Sequence, residues 1–318
     1  MCGITGLVLG RRCRSAREYE SIREQFSDSL VAAQARGTDA AGLFVLNEGG
    51  EHYYYRAPLA ASSLVRTQAF KAVLSHVGDN TIAIVGHTRA ATTGSPMVVD
   101  NNHPIYDAPL IGVHNGVIWN NDELREEYFT EAEVDSAVIL SVLNAHMGDG
   151  KLTLGHIRKA MPLLEGSWAV AIADIQQDAL FVARNSGSPL VMTRAKATQA
   201  LWFVSTNQII DAAFGRKGVA TKSLYEYSAM RLTRGNAEGL KVQGKAIKRP
   251  NKLSARGMFR FPPKNAPMSV YGRHTEEGDM REDWELVRDR SDRRGYPSFY
   301  DEGSASAKLL EWARKGGE

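Results

Sequence analysis

Cys2 is the second residue of a 318-residue chain. Its small side chain favours removal of Met1, which would leave a free α-amino group beside the thiol. That amine has an unperturbed pKa of about 7.7–8.0, close enough to working pH to take the proton from its own side chain. One residue would then supply both attacker and base. A Met-Cys start alone reads first as a free cysteine in an N-terminal strand. The nucleophile reading therefore depends on what else the chain carries.

Three further segments complement it. GHTRAATTG at 86–94 puts Arg89 at the end of an apolar strand, before small residues and a glycine. Arginine there can grip a carboxylate with two parallel, charge-assisted contacts, or simply make a surface ion pair. GVHNGVIWN at 112–120 places Asn115–Gly116 directly after a strand. Asn-Gly is commonly a tight turn. It is also suited to an oxyanion hole, the Asn115 amide and the Gly116 N–H being the donors. VDSAVIL places Asp135 in the first turn of an apolar helix, where it could cap the helix or pair with an ammonium group. A nucleophile, two oxyanion donors, a carboxylate ligand and an ammonium ligand together describe a site for a free amino acid with a side-chain amide. Glutamine is the obvious candidate.

The ordered set MCGI at 1–4, RGTDAAG at 36–42, GHTRAATTG, NNHP at 101–104, HNG at 114–116 and VDS at 134–136 resembles the class II, N-terminal-nucleophile (Ntn) glutamine amidotransferase domain. That domain occurs in glucosamine-6-phosphate synthase and amidophosphoribosyltransferase. LEGSWAVAIAD at 164–174 and ARNSGSPLVM at 183–192 look like its later strands and Gly-rich loop. The resemblance covers residues 2 to about 240. It implies a four-layer αββα Ntn-hydrolase sandwich in which Cys2 is the nucleophile and Asn115 and Gly116 form the oxyanion hole. It makes Arg89 the carboxylate ligand and Asp135 the holder of the amino group. Thr92 falls in the loop lining the pocket, and Arg36 and Asp39 fall in a supporting loop beside it. His103 matches a histidine near the pocket and reads equally as a structural one. The family commonly has Trp and His where this chain has Ala90 and Thr93, so closure of that loop is expected to work differently. Cys13 matches nothing in the pattern and reads as structural. No cofactor or metal is implied.

The elements that must position these residues follow from periodicity. GITGLVLG at 3–10 reads as a buried strand, and Ile22, Phe26, Leu30 and Ala33 mark one face of a helix over 17–35. Strand-like runs follow at 42–47, 52–56, 81–87 and 110–114, and helices over 133–146 and 153–164. The block 167–204 alternates in the β manner through SWAVAIAD, ALFVAR, LVMTR and ALWFVST. A short helix is expected from Ser205 as N-cap, with Gln208 three residues on and Gly215 as the stop. Two groups of strands with helices between them suit a layered α+β protein.

Two cysteines are too few for a disulfide framework, and MCGITGLVLG lacks the basic leader of a secretory signal. No apolar run approaches the ~18 residues a membrane span requires, so a cytoplasmic protein without a membrane partner is expected. The net charge of +3 argues for no polyanionic partner by itself. Composition shifts after about residue 240. Between Lys241 and Lys264 there are eight Lys/Arg and no Asp or Glu, followed by a mixed-charge stretch, with only 307–313 patterned as a short amphipathic helix. The chain divides into a domain over 2–240 and a basic, then mixed-charge, partly disordered extension over 241–318. That extension has no room for an ammonia-accepting domain and no phosphate-binding G-x-x-x-x-G-K-[ST] loop, so a separate synthase is expected to take the ammonia from L-glutamine. Two other readings stand beside this one. One is an Ntn hydrolase of a different amide, against which the Arg89–Asp135 pair speaks. The other is a non-catalytic adaptor carrying nucleic acid on 241–264, whose binding would fall steeply with salt.

Overall fold

A computed structural model describes residues 2–130, 132–195 and 198–234, together with the backbone of Lys241–Ala246. In chain order come β1 (Gly3–Leu9), α1 (Ala16–Ala33), β2 (Ala40–Asn47), β3 (His52–Ala57), α2 (Ala61–Leu64), α3 (Gln68–Ser75) and β4 (Thr81–Arg89). The middle of the chain forms β5 (Ile105–Asp107), β6 (Leu110–Ile118), α4 (Asn121–Glu127), α5 (Asp135–Met147) and α6 (Leu154–Ala160). Then follow β7 (Gly166–Asp174), β8 (Ala179–Arg184), β9 (Val191–Ala195), β10 (Ala200–Val204), α7 (Asn207–Ala213), β11 (Lys222–Ser223), β12 (Ser228–Thr233) and β13 (Lys241–Ala246).

The strands form two sheets, ordered β11-β9-β10-β1-β4-β2-β3 and β13-β12-β8-β7-β6-β5. Every pairing is antiparallel. Strand alternation sorts side chains between layers. Along β7, Ala169, Ala171 and Ala173 enter the core between the sheets, while Trp168, Val170 and Ile172 face the helical layer of α5 and α6. Small residues inside let the sheets approach; large ones outside fill the gap to the helices. On the other sheet, α1 lies over β1 and β4 beside α7 and buries Ile22, Phe26 and Leu30. Each such side chain contributes about 1.5–3 kcal/mol on burial. The order of layers is αββα, as expected.

The expected strands and the first three helices are present, with bounds moved by a few residues. Ser15 and Glu18 form a reciprocal capping box at the start of α1. The helices α2, α3 and α4 had no counterpart in the periodicity, because elements of four to eight residues are shorter than the window in which a helical face repeats. The last helix corrects an expectation. It starts at Asn207 with Thr206 as N-cap and no side-chain cap bond, so Ser205 is not its cap and Gln208 completes no capping box. Cys13 is exposed and free rather than structural.

Among the described residues no helix is long and apolar enough to cross a membrane. Backbone pairing continues past residue 240, since β13 joins β12 at the sheet edge. The rest of the basic stretch to Lys264, the mixed-charge segment and the amphipathic 307–313 lie outside the described residues.

Candidate active site

The site gathers at one end of the two sheets. Pairing of Gly3 with Thr88 sets the start of β1 beside the end of β4, which brings Cys2 next to Ala90 across 88 positions of sequence. The Ala90 N–H points at Cys2 Sγ from 3.4 Å, and the thiol lies 3.7 Å from the Ala90 carbonyl oxygen. Arg36 Nε donates to the Cys2 carbonyl oxygen at 2.7 Å. Burial raises the thiol pKa above its ordinary value, and the Ala90 N–H pulls it back down. A thiol so placed needs a nearby base to become a nucleophile at neutral pH.

The RGTD loop clamps the end of β4. Gly37 backs onto the Arg89–Ala90 peptide so closely that a Cβ would fall 2.3 Å from the Arg89 carbonyl carbon, which excludes any other residue. Asp39 donates its N–H to the Arg89 carbonyl at 3.0 Å, and its carboxylate accepts from the Ala91 N–H at 2.8 Å. Arg36 and Asp39 thus sit behind the pocket, one holding the cysteine backbone and the other the loop after Arg89.

Arg89 is 4% exposed. Its guanidinium donates to Asn102 Oδ1 at 2.8 Å and to the Thr93 and Gly94 carbonyls at 2.5 and 2.9 Å. Asn102 lies in the NNHP segment, yet its link to Arg89 left no signal in sequence, since it joins two segments through a loop of irregular geometry.

Asn115 and Gly116 lie within β6, not after it; they pair with Ala169 and Trp168 in an unbroken ladder. The alternative of a tight turn is not taken, because the strand continues to Ile118. Gly116 has φ +147°, and a Cβ there would fall 1.8 Å from the Ser167 carbonyl oxygen, so only glycine fits. Gly116 lines the pocket, and the side chain of Asn115, one position before it, reaches Ser205, its Nδ2 lying 3.4 Å from Ser205 Oγ.

Asp135 is the first residue of α5, 5% exposed, and caps nothing: the N-cap is Val134. Its Oδ2 accepts from the Ile118 N–H at 2.8 Å and its Oδ1 from Ser136 Oγ at 3.4 Å. Ser136 also meets His114 Nδ1 at 2.9 Å.

Three buried histidines stand around these groups. His87 Nε2–H donates to the His114 carbonyl at 2.8 Å, and its ring lies 4.0 Å from that of His103. Neither ring nitrogen of His103 has a hydrogen-bond partner among the described residues. Burial lowers all three pKa values: His87 to about 3, His103 well below its ordinary value with its cationic neighbours adding to the effect, and His114 against the upward pull of Asp135. They are neutral at pH 7. Among the described residues no group of three or more His, Cys, Asp or Glu could hold a metal ion.

A pocket of about 270 Å³, mouth included, is lined by Cys2, Arg89, Thr92, His103, Gly116 and Asp135, among others. Thr92 is exposed at its rim. Among the described residues Arg89 and Asp135 form no ion pair. A buried cation and a buried anion, neither in an ion pair among the described residues, therefore border one small cavity beside a cysteine. Isolated buried charges are costly; a ligand carrying one carboxylate and one ammonium group would complete both.

Residues 87–212 match a family model described as a glutamine amidotransferase domain. The chain is 31% identical over 233 residues to the isomerizing glutamine–fructose-6-phosphate aminotransferase of Geobacillus kaustophilus, covering 70% of this chain and 36% of that protein. It is 32% identical over 197 residues to the Escherichia coli protein of the same name, covering 60% and 30%. The chain thus spans about a third of the length of these relatives. Among solved structures, glutamine phosphoribosylpyrophosphate amidotransferase from B. subtilis, complexed with ADP and GMP, superposes with a TM-score of 0.54 at 20% identity, over 76% of this chain and 49% of that one. A structure of the allosteric regulatory enzyme of purine biosynthesis superposes with a TM-score of 0.56 at 18% identity, over 78% and 50%.

Proposed function

The chain carries a class II glutamine amidotransferase domain, and from that premise we propose that it hydrolyses L-glutamine to glutamate and ammonia through a Cys2 thioester. The observation that carries the proposal is the pair of buried side chains Arg89 and Asp135, neither in an ion pair among the described residues, on the pocket that holds Cys2. They match the two ends of a free amino acid and leave its side chain directed at the thiol.

With Met1 removed, the α-amine of Cys2 takes the thiol proton and the thiolate attacks the side-chain carbonyl carbon. The carbonyl oxygen gains the negative charge, and the Gly116 N–H and the Asn115 amide stabilise it. The C–N bond then breaks, and the amine returns its proton to the departing nitrogen, which leaves as ammonia. Water attacks the γ-glutamyl thioester by the same base and oxyanion donors, releasing glutamate and restoring the thiol. Arg89 binds the substrate carboxylate and Asp135 its ammonium group. Thr92 contributes to the rim, Arg36 and Asp39 hold the backbone on either side of the nucleophile, and His103 forms neutral wall. Small side chains at Ala90 and Thr93 leave the rim without the Trp and His common in the family.

The relatives named as aminotransferases are about three times as long as the matched region. In the proposed arrangement a separate synthase, in the cytoplasm where Cys2 stays reduced, receives the ammonia. Hydrolysis of another amide is the lesser reading, because a substrate lacking the amino-acid end would leave both buried charges unpaired.

The test is glutamate release from glutamine by the protein with Met1 removed. Cys2→Ala should abolish it. Glutamate release surviving in that variant would refute the mechanism, and faster cleavage of an N-acylated amide than of glutamine would refute the substrate.

A further inference from the structure

We propose that Ser205 is a positioning residue for this hydrolysis, orienting the Asn115 carboxamide so that its NH2 group faces the reacting carbonyl; this rests on the glutamine-hydrolysis reading above. Ser205 is fully buried just beyond the end of β10. Its backbone N–H donates to the Ile4 carbonyl at 2.9 Å, and its Oγ accepts from the Ile4 N–H at 2.8 Å. It is thereby anchored two positions after the nucleophile, across 201 residues of sequence. The Asn115 carboxamide, 90 residues away, reaches the same Oγ, the end drawn as Nδ2 lying 3.4 Å from it.

A serine hydroxyl has one hydrogen and two lone pairs. Ile4 occupies a lone pair, and the hydrogen has only the Asn115 carboxamide within reach among the described residues. The two ends of a carboxamide have the same shape and are told apart by their partners. With Nδ2 toward Ser205, the hydroxyl accepts twice and its own hydrogen is left buried without an acceptor, at a cost of about 1–3 kcal/mol. With Oδ1 toward Ser205, the hydroxyl donates to Asn115 and every group is used. The NH2 then points away from Ser205, free to donate to an oxyanion. The serine thus selects which end of Asn115 the substrate meets. A carboxamide presented oxygen-first would repel the developing charge.

Steady-state glutaminase kinetics of the full-length protein test this with four variants. Ser205→Ala should lower kcat about 10-fold with KM within about 2-fold, since oxyanion donors act in the transition state. Ser205→Thr, which keeps the hydroxyl, should recover to within about 3-fold of the starting kcat. Asn115→Ala should lose about 10²–10³ in kcat, and adding Ser205→Ala to it should cost nothing more, because a residue acting through Asn115 has nothing left to orient. The proposal is overturned if the Ser205→Ala loss is equally large on the Asn115→Ala background, if KM rises in step with the fall in kcat, or if Thr gives no recovery. If Ser205→Ala does not fold, Ser205→Cys, a weaker donor of similar size, is compared in the same way. Failure of the unsubstituted protein to release glutamate would instead remove the glutamine reading itself.

Discussion

Two sets of buried ionisable side chains meet at the pocket, and burial treats them in opposite ways. Arg89 and Asp135, 4% and 5% exposed, form no ion pair among the described residues. Each is held by backbone or side-chain dipoles: Arg89 by the Thr93 and Gly94 carbonyls and Asn102, Asp135 by the Ile118 N–H and Ser136. His87, His103 and His114, buried alongside, are pushed to the neutral form. Dipoles can hold a charge in place but do not neutralise it, so the first set is poised for a ligand of complementary charge. The second set packs as neutral wall. Charged histidines in that position would compete with a substrate ammonium for Asp135.

The first set is where the contrast breaks most visibly. Arg89→Ala should lower kcat/KM for glutamine by about 10³-fold, and Asp135→Asn by about 10²-fold, the scale of losing one partner of a buried, hydrogen-bonded charge pair. A sharper form compares glutamine with its α-carboxamide. The parent enzyme should prefer glutamine strongly, and Arg89→Ala should lose that preference. If Arg89→Ala still discriminates, Arg89 is not the carboxylate ligand.

The histidines should show themselves in stability. Their folded pKa values lie below the unfolded value of about 6.5. The unfolded chain therefore binds protons first as pH falls. Stability from keeping them neutral is complete above pH ~6.5 and is lost as pH falls toward about 3, where His87 titrates. Each fully neutral histidine contributes a slope of up to about 1.4 kcal/mol per pH unit in that window. Urea midpoints at pH 7.0, 6.0 and 5.0 measure it, and His87→Gln should flatten the dependence. A pH-independent midpoint would show that the rings ionise without cost.

The smallest effects belong to the rim and the surface. Thr92 is exposed, so Thr92→Ala should change kcat/KM by less than about 3-fold. Cys13 is exposed and unpaired, and Cys13→Ser should leave activity and stability unchanged. A large loss in either would show that the rim or surface shares in binding.

Much of the fold was legible because its signals are local. Alternation marked the strands of 167–204, and Ile22, Phe26, Leu30 and Ala33 marked α1. Short helices escaped, since α2 completes barely one turn. At Ser205 the local signal and the tertiary contact disagree. A serine before an apolar run has the local chemistry of a cap, and nothing nearby in sequence reveals that Ile4 lies opposite. Asn115–Gly116 was expected after the strand because Asn-Gly is locally a turn signal. Pairing with β7 overrode that preference and kept both residues in the ladder.

The sequence by itself determined which side chains carry the chemistry and in what order, because thiol, guanidinium, carboxamide and carboxylate are properties of residues. It also determined the layers, through periods of about two and 3.6 residues that survive in any context. Only the tertiary structure decided that Arg89 and Asp135 share a pocket without forming an ion pair. It likewise decided that Gly116 lines the pocket and that Asn115 meets Ser205, and that burial holds three histidines there in the neutral form. These outcomes depend on desolvation and on contacts spanning up to 201 positions, and neither is encoded in any local pattern.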